Sequence, residues 1–218
     1  MPQNDMYKYI FFDLDGTISD SSEGITKGIQ KALREMGVLV EDRNELRKYI
    51  GPPLKYSFTT FEGFNDEQCD EAIKRYREYY SKVGLFENVP YDGIDTLLKQ
   101  IKESGRKIAV TTSKPEKFTI QILEKFGILK YFDIVAGATL DERRGEKCDI
   151  VAYALEQFGN PDKSEAVLVG DTRFDAEGAS IVGIDCIGVL YGFGTEEELT
   201  KSGAKYIAPT VGDIYRFL

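Results

Sequence analysis

Short apolar runs, each ending in polar residues or glycine, recur along the chain at 7–12, 107–111, 132–136, 166–169 and 186–190. Runs of this length suit buried strands. Between them apolar residues return at helical spacing: Ile94, Leu97, Leu98 and Ile101, then Phe118, Ile122 and Phe126, then Ile150, Ala154, Leu155 and Phe158. Strand and helix therefore alternate, and the economical solution is an α/β fold, a doubly wound parallel sheet covered by helices. Residues 206–208 are expected to add a late edge strand.

The alternation has one large gap. From 20 to 88 helical patterns follow one another with no strand between them, which predicts an inserted all-helical domain; the α/β core is then 1–19 together with 89–218. The first inserted helix carries Ile25, Ile29, Leu33 and Met36, with Ser21 or Ser22 expected to cap it, and the last carries Cys69, Ile73, Tyr76 and Tyr80. Gly51-Pro52-Pro53 breaks the pattern midway, so 51–56 reads as a stiff loop. Its Lys55 is placed to meet a second anionic group of a ligand, and a rigid interhelical turn suits the same residues. Tyr76, Tyr79 and Tyr80 are expected to pack rather than to stack on a base.

Composition narrows the chemistry. The apolar fraction of 42% and charged fraction of 30% over 218 residues are those of a soluble globular chain able to bury a full core. The start, 1–8, is polar, and the apolar stretch behind it is too short for a signal peptide or a membrane span, so a cytoplasmic location is expected. Cys69, Cys148 and Cys186 form neither a disulfide framework nor a zinc pattern and read as reduced packing residues. A net charge of -9 opposes binding to nucleic acid or to an anionic membrane, and the expected partner is a small molecule, with the chain a monomer or weak homodimer. The absence of histidine removes catalytic triads, phosphohistidine chemistry and most zinc sites together, leaving proton transfer to carboxylates, lysine or tyrosine.

In open parallel sheets, sites form beyond the carboxyl ends of the strands. After the first run stand Asp13 and Asp15, roughly 7 Å apart and on one side of an extended chain, followed by Gly16, which permits a tight turn with amides free to face an anion. After the second comes Thr112-Ser113-Lys114, offering hydroxyls and amides; after the fourth come Asp171 and Asp175, one helical turn apart where a helix begins; Lys147 precedes the helix through Phe158. Taken singly, these are equally an Asp-Gly turn, a strand-capping threonine, an N-cap aspartate and a surface lysine. Taken together, four carboxylates at one sheet edge would repel unless a cation joined them, and oxygen-only ligands suit a hard ion such as magnesium.

At these residues the chain resembles the haloacid dehalogenase superfamily, in its phosphoglycolate-phosphatase-like and 5′-nucleotidase-like branch with a small helical cap. Asp13-Leu14-Asp15-Gly16-Thr17 looks like the first motif of that superfamily, Thr112 its second, Lys147 its third, and Asp171 with Asp175 its fourth, in the expected order. Cys148 after Lys147, and Tyr91-Asp92-Gly93, depart from the usual proline-containing patterns without touching the chemistry. The resemblance implies a Rossmann-like core and a phosphatase for small phosphate esters such as phosphoglycolate or a nucleoside 5′-monophosphate. It implies Asp13 as nucleophile and Asp15 as proton donor and acceptor. It further implies Mg2+ held by Asp13, the Asp15 main-chain carbonyl and Asp171 with support from Asp175, and phosphate held by Gly16, Thr112, Ser113 and Lys147. A free aspartate titrates near about 3.9, so Asp15 needs a setting that favours its protonated form; closure of the helical insertion over the site, expelling water, is the expected source. A phosphomutase or phosphotransferase would use the same residues with a hydroxyl as acceptor. A receiver-type signalling domain is the non-enzyme alternative, although its phosphorylated aspartate follows the third strand.

Overall fold

The computed structural model describes residues 7–139 and 144–218, so the polar start from Met1 to Met6 lies outside the described residues. The chain divides into two compact units, one formed by 1–19 and 90–218, the other by 20–89.

The first unit is built on a six-stranded sheet. In chain order its strands are β1 (Tyr9–Phe12), β4 (Lys107–Pro115), β5 (Ile134–Ala138), β6 (Ala166–Gly170), β7 (Asp185–Val189) and β8 (Tyr206–Ala208), with two-residue strands β2 (Ser19–Asp20) and β3 (Val89–Pro90) where the chain passes between units. The spatial order is β5-β4-β1-β6-β7-β8, and every neighbouring pair is parallel. Both faces of such a sheet are covered, which explains why its strands read as continuous apolar runs. Phe11, Ala109, Leu168 and Cys186 share a buried cluster with Ile150, Val151 and Ala154 of α6 (Lys147–Gln157) and Ala176 and Ala179 of α7 (Arg173–Val182). Ile10, Ile108 and Val167, which alternate with them, are also fully buried. Each such large apolar side chain contributes on the order of 1.5–3 kcal/mol relative to exposure.

The strand order places a reversal beside β1. From β1 the chain builds outward through β4 and β5, then returns to β6 on the other side and builds outward again through β7 and β8. At such a reversal the connections leave in opposite directions and open a crevice beyond the strand ends.

The second unit contains α1 (Ser22–Glu35), α2 (Leu54–Glu62) and α3 (Asp66–Tyr80) with two short 3₁₀ turns. Ile25, Ile29 and Leu33 of α1 are buried, as are Cys69, Ile73, Tyr76 and Tyr80 of α3, where the Tyr76 and Tyr80 rings stack at 5.1 Å. Tyr79 donates its hydroxyl to Glu87. Neither serine caps α1 with its side chain: the Ser22 amide donates instead to the Asp20 carboxylate at 2.9 Å. The loop expected over 51–56 is shorter than its prolines suggest, because Leu54, Lys55 and Tyr56 already form the first turn of α2. Proline forbids helix in the residue before it, not in those after it, and Pro53 sits in an extended conformation at the N-terminal boundary of the helix. Among the described residues no helix is long and apolar enough to cross a membrane.

Candidate active site

Asp13 directly follows β1 and takes the next step of the ladder, its amide donating to the Val169 carbonyl of β6 at 2.9 Å. The neighbouring strand β6 ends at Gly170, and Asp171 follows. Two parallel strands in register thus deliver two carboxylates to the same edge. Asp175, one turn into α7, joins them, so that a carboxylate oxygen from each of Asp13, Asp171 and Asp175 lies within 4.8 Å of the others. All three side chains are buried.

Lys147, the first residue of α6, reaches into this cluster. Its ammonium donates to Asp13 Oδ1 at 2.7 Å and to the Thr111 carbonyl at 2.9 Å, and pairs with Asp175 Oδ1 at 2.7 Å. Its stem runs against Gly178 of α7, where a Cβ would stand 2.6 Å from Lys147 Cγ. Burial works against the charge on Lys147, and the carboxylates of Asp13 and Asp175 more than offset it, holding the ammonium above the ordinary lysine range. Asp13 is pushed up to about 6, first by burial, against which Lys147 pulls it down while Asp175 and Asp15 push it further up. Asp171 is raised well above the carboxylate range by burial, then by Asp175 and Asp13.

Asp171 is held in place by two donors. The Thr17 hydroxyl donates to its Oδ1 at 3.1 Å, and the Phe193 amide to its Oδ2 at 2.8 Å. Asp175 accepts from both the amide and the hydroxyl of Thr172, forming the capping box that starts α7. Gly16 does not offer its amide to a ligand: that N–H donates to the Ser19 carbonyl at 2.8 Å. Its contribution is room, since its φ of +88° suits glycine and a Cβ there would stand 2.1 Å from Asp171 Oδ2.

Thr112 lies buried in β4 at the last regular pair before its register slips, its hydroxyl accepting from the Lys114 amide at 3.2 Å, and Ser113 beside it is partly exposed. Asp15 is buried next to Asp13 and pairs through Oδ2 with the ammonium of Lys114 at 2.8 Å. Lys55 stands in the helical unit, where it pairs with Asp66 at 2.9 Å with nearly half its side chain exposed. Three participants have roles that the sequence does not assign: Thr17 and Phe193, which orient Asp171, and Lys114, which grips Asp15. For Lys114 a signal was present, because it stands two residues beyond Thr112 at a strand end.

The donor set suits a hard divalent cation. Asp13, Asp15 and Asp175 pair with the ammonium groups of Lys147 and Lys114, and Asp171 stands beside them with no ammonium among its contacts, so among the described residues the acidic groups of the cluster outnumber its lysines by two, all of them buried. Gathering that many charges away from water is costly unless they are compensated, and the available ligand atoms are all oxygen.

Known proteins resemble this chain over most of its length. Residues 10–189 match the model of the haloacid dehalogenase-like hydrolase family. A 5′-nucleotidase of Pseudomonas aeruginosa is 39% identical over 88% of this chain and 87% of its own length. The tyrosine-protein kinase PtkA of Mycobacterium tuberculosis is 36% identical over 94% of this chain and 70% of its own. The crystal structure of a predicted phosphatase from Clostridium acetobutylicum superposes with a TM-score of 0.95 at 43% identity, over 97% of this chain and 98% of the other. The chain belongs to the haloacid dehalogenase-like hydrolases and is a phosphatase of that family.

Proposed function

We propose that the protein hydrolyses phosphate monoesters of nucleosides with magnesium, through a phosphoryl group carried on Asp13. The observation that carries this reading is the pairing of Asp13 with Lys147 at 2.7 Å inside the Asp13–Asp171–Asp175 cluster. A buried carboxylate beside a fixed ammonium suits attack on a phosphoryl group, whose charge the ammonium stabilises as it spreads over the equatorial oxygens. Asp13, Asp171 and the Asp15 main-chain carbonyl would hold the ion, with Asp175 supporting; magnesium, when bound, supplies positive charge that draws electrons from the phosphoryl oxygens.

In the first step a carboxylate oxygen of Asp13 bonds to phosphorus, the ester oxygen leaves, and Asp15 gives that oxygen a proton. In the second, a water oxygen bonds to phosphorus, its proton passes to Asp15, and Asp13 is released as a free carboxylate. Lys147, Thr112 and Ser113 hold the phosphoryl oxygens during both. No histidine is needed, because Asp15 carries the proton in each direction. The 5′-nucleotidase relative, similar over most of both chains, favours a nucleoside 5′-monophosphate over phosphoglycolate as substrate. Similarity to a tyrosine kinase supports a second reading, in which a hydroxyl rather than water accepts the phosphoryl group from Asp13.

The test is phosphate release from adenosine, inosine and uridine 5′-monophosphates, phosphoglycolate and p-nitrophenyl phosphate, with magnesium and with EDTA, beside Asp13→Asn. Magnesium-dependent release from a nucleotide, with acid-quenched protein carrying a phosphoryl mass that Asp13→Asn lacks, is the expected result. Full activity of Asp13→Asn ends the proposal; phosphoryl loss only on addition of a hydroxyl acceptor selects the second reading.

A further inference from the structure

Lys114 has no place in the chemistry just described, yet it is built into the site with unusual care. It is a lysine with only 7% of its surface exposed. A buried lysine needs a compensating charge, and its ammonium lies 2.8 Å from Asp15 Oδ2. The backbone is shaped to put it there. The pairing of β4 with β5 is in step as far as Thr112, which faces Gly137, and slips before Pro115, which faces Ala138. Lys114 lies within that irregularity. The slip is possible because residue 137 is glycine: a Cβ there would stand 2.6 Å from the Lys114 carbonyl oxygen and from the Glu116 amide. The Lys114 amide, in turn, is tied to the Thr112 hydroxyl.

The two oxygens of Asp15 are treated differently. Oδ2 is gripped by Lys114, whereas among the described residues nothing hydrogen-bonds to Oδ1, although that atom is buried. We infer that Lys114 is the positioning residue for Asp15: it fixes the carboxyl group by Oδ2 and leaves Oδ1 as the atom that exchanges a proton with the ester oxygen and then with water. The ammonium lies 2.8 Å from Oδ2, the oxygen that takes no part in the exchange. This rests on the reading of Asp15 as the proton carrier.

A positioning role predicts which substrates suffer when Lys114 is changed. A poor leaving group needs its proton during bond cleavage and a good one does not, so help from Asp15 matters for phenyl phosphate and hardly at all for p-nitrophenyl phosphate. General acid catalysis contributes roughly 10²–10⁴-fold, and misplacing the acid removes part of it. Lys114→Met and Lys114→Gln are each expected to lose roughly 10–100-fold in kcat on phenyl phosphate, with less than about threefold lost on p-nitrophenyl phosphate and KM little changed. Lys114→Arg restores part of the loss. The double variant Lys114→Met, Asp15→Asn is expected to be no slower on phenyl phosphate than Asp15→Asn alone, because a positioning residue has nothing left to position.

Equal losses on both esters, or losses in the double variant that multiply, would show Lys114 acting by some other route and overturn the inference. Asp15→Asn supplies the separate control. If it spares phenyl phosphate, the role of Asp15 has failed; if it shows the leaving-group pattern and Lys114→Gln does not, only the role of Lys114 has. A folded Lys114→Gln, checked by thermal unfolding, keeps the test decisive should Lys114→Met not fold.

Discussion

Gly16 and Asp171 approach so closely that a single methyl group on Gly16 would stand 2.1 Å from Asp171 Oδ2, inside any tolerable contact distance. The loop after the first strand and the carboxylate after the fourth sheet strand in chain order are therefore shaped to each other. Gly16→Ala is expected to push Asp171 out of line and to strain a backbone at φ +88°, costing about 1–2 kcal/mol of stability from the backbone alone. The sharper measurement is the rise in melting temperature on adding magnesium. That rise should be largely lost in Gly16→Ala, along with at least about 100-fold of kcat/KM, the scale of a lost charge-stabilising contact.

Lys147 is the sole ammonium that the described residues place against both Asp13 and Asp175. Lys147→Met would leave two buried carboxylates facing each other without it. Breaking a buried pair from one side costs about 3–5 kcal/mol, so urea unfolding in EDTA should show a loss of that order. Magnesium should return part of it by replacing the missing positive charge, and a variant as stable as the wild type in EDTA would contradict the account of the cluster.

The metal-free protein should carry a pH signature from Asp13. Burial and its acidic neighbours raise this group from 3.8 to about 6 despite Lys147. A carboxyl group with a higher pKa folded than unfolded binds its proton more tightly in the native chain. Its stabilising effect is therefore present in full below the unfolded value and is lost as pH climbs through about 6. In EDTA, Asp13→Asn, which cannot ionise, is expected to be more stable than the wild type above that pH. The gap is up to about 3 kcal/mol at 1.36 kcal/mol per unit, and it closes as pH falls toward 4. Unfolding curves at several pH values check this; a gap that widens on acidification would be the wrong sign.

Lys55 offers a cheap discrimination between substrates. Its exposed pair with Asp66 makes Lys55→Ala nearly neutral for stability, within about 1 kcal/mol. A nucleoside monophosphate has no second anionic group for Lys55 to meet, so KM for that substrate is expected to stay within about twofold of wild type. A large rise in KM confined to phosphoglycolate would instead place Lys55 on its carboxylate.

Much of the core was legible because parallel strands buried on both faces leave unbroken apolar runs, and the acids of the site stand immediately after two of them, at Asp13 and Asp171. Local chemistry misled where it was read without its neighbours. Gly16 looked like a source of amides for an anion, but its amide closes the turn onto Ser19. Leu54, Lys55 and Tyr56, expected as loop because prolines precede them, start α2, since proline is compatible with starting a helix. Lys114 escaped for a different reason. Its aim depends on a slipped register beside Gly137, and strand periodicity describes regular pairing only. Phe193 and Thr17 meet Asp171 across more than twenty residues of chain in one case and more than a hundred in the other, distances over which spacing rules carry no information.

The sheet order has a consequence for how the enzyme is made. β1 is completed on one side by 107–115 and on the other by 166–170, so during synthesis it waits longest for a partner on its β6 side. Pairings of such long sequence separation form slowly, and a nascent chain halted before residue 166 carries Asp13 at an open sheet edge with nothing opposite it. Synthesis thus leaves the Asp13 edge of the sheet unfinished until 166–170 has emerged, and any earlier arrest yields an exposed strand edge, the surface on which chaperones act and aggregates grow.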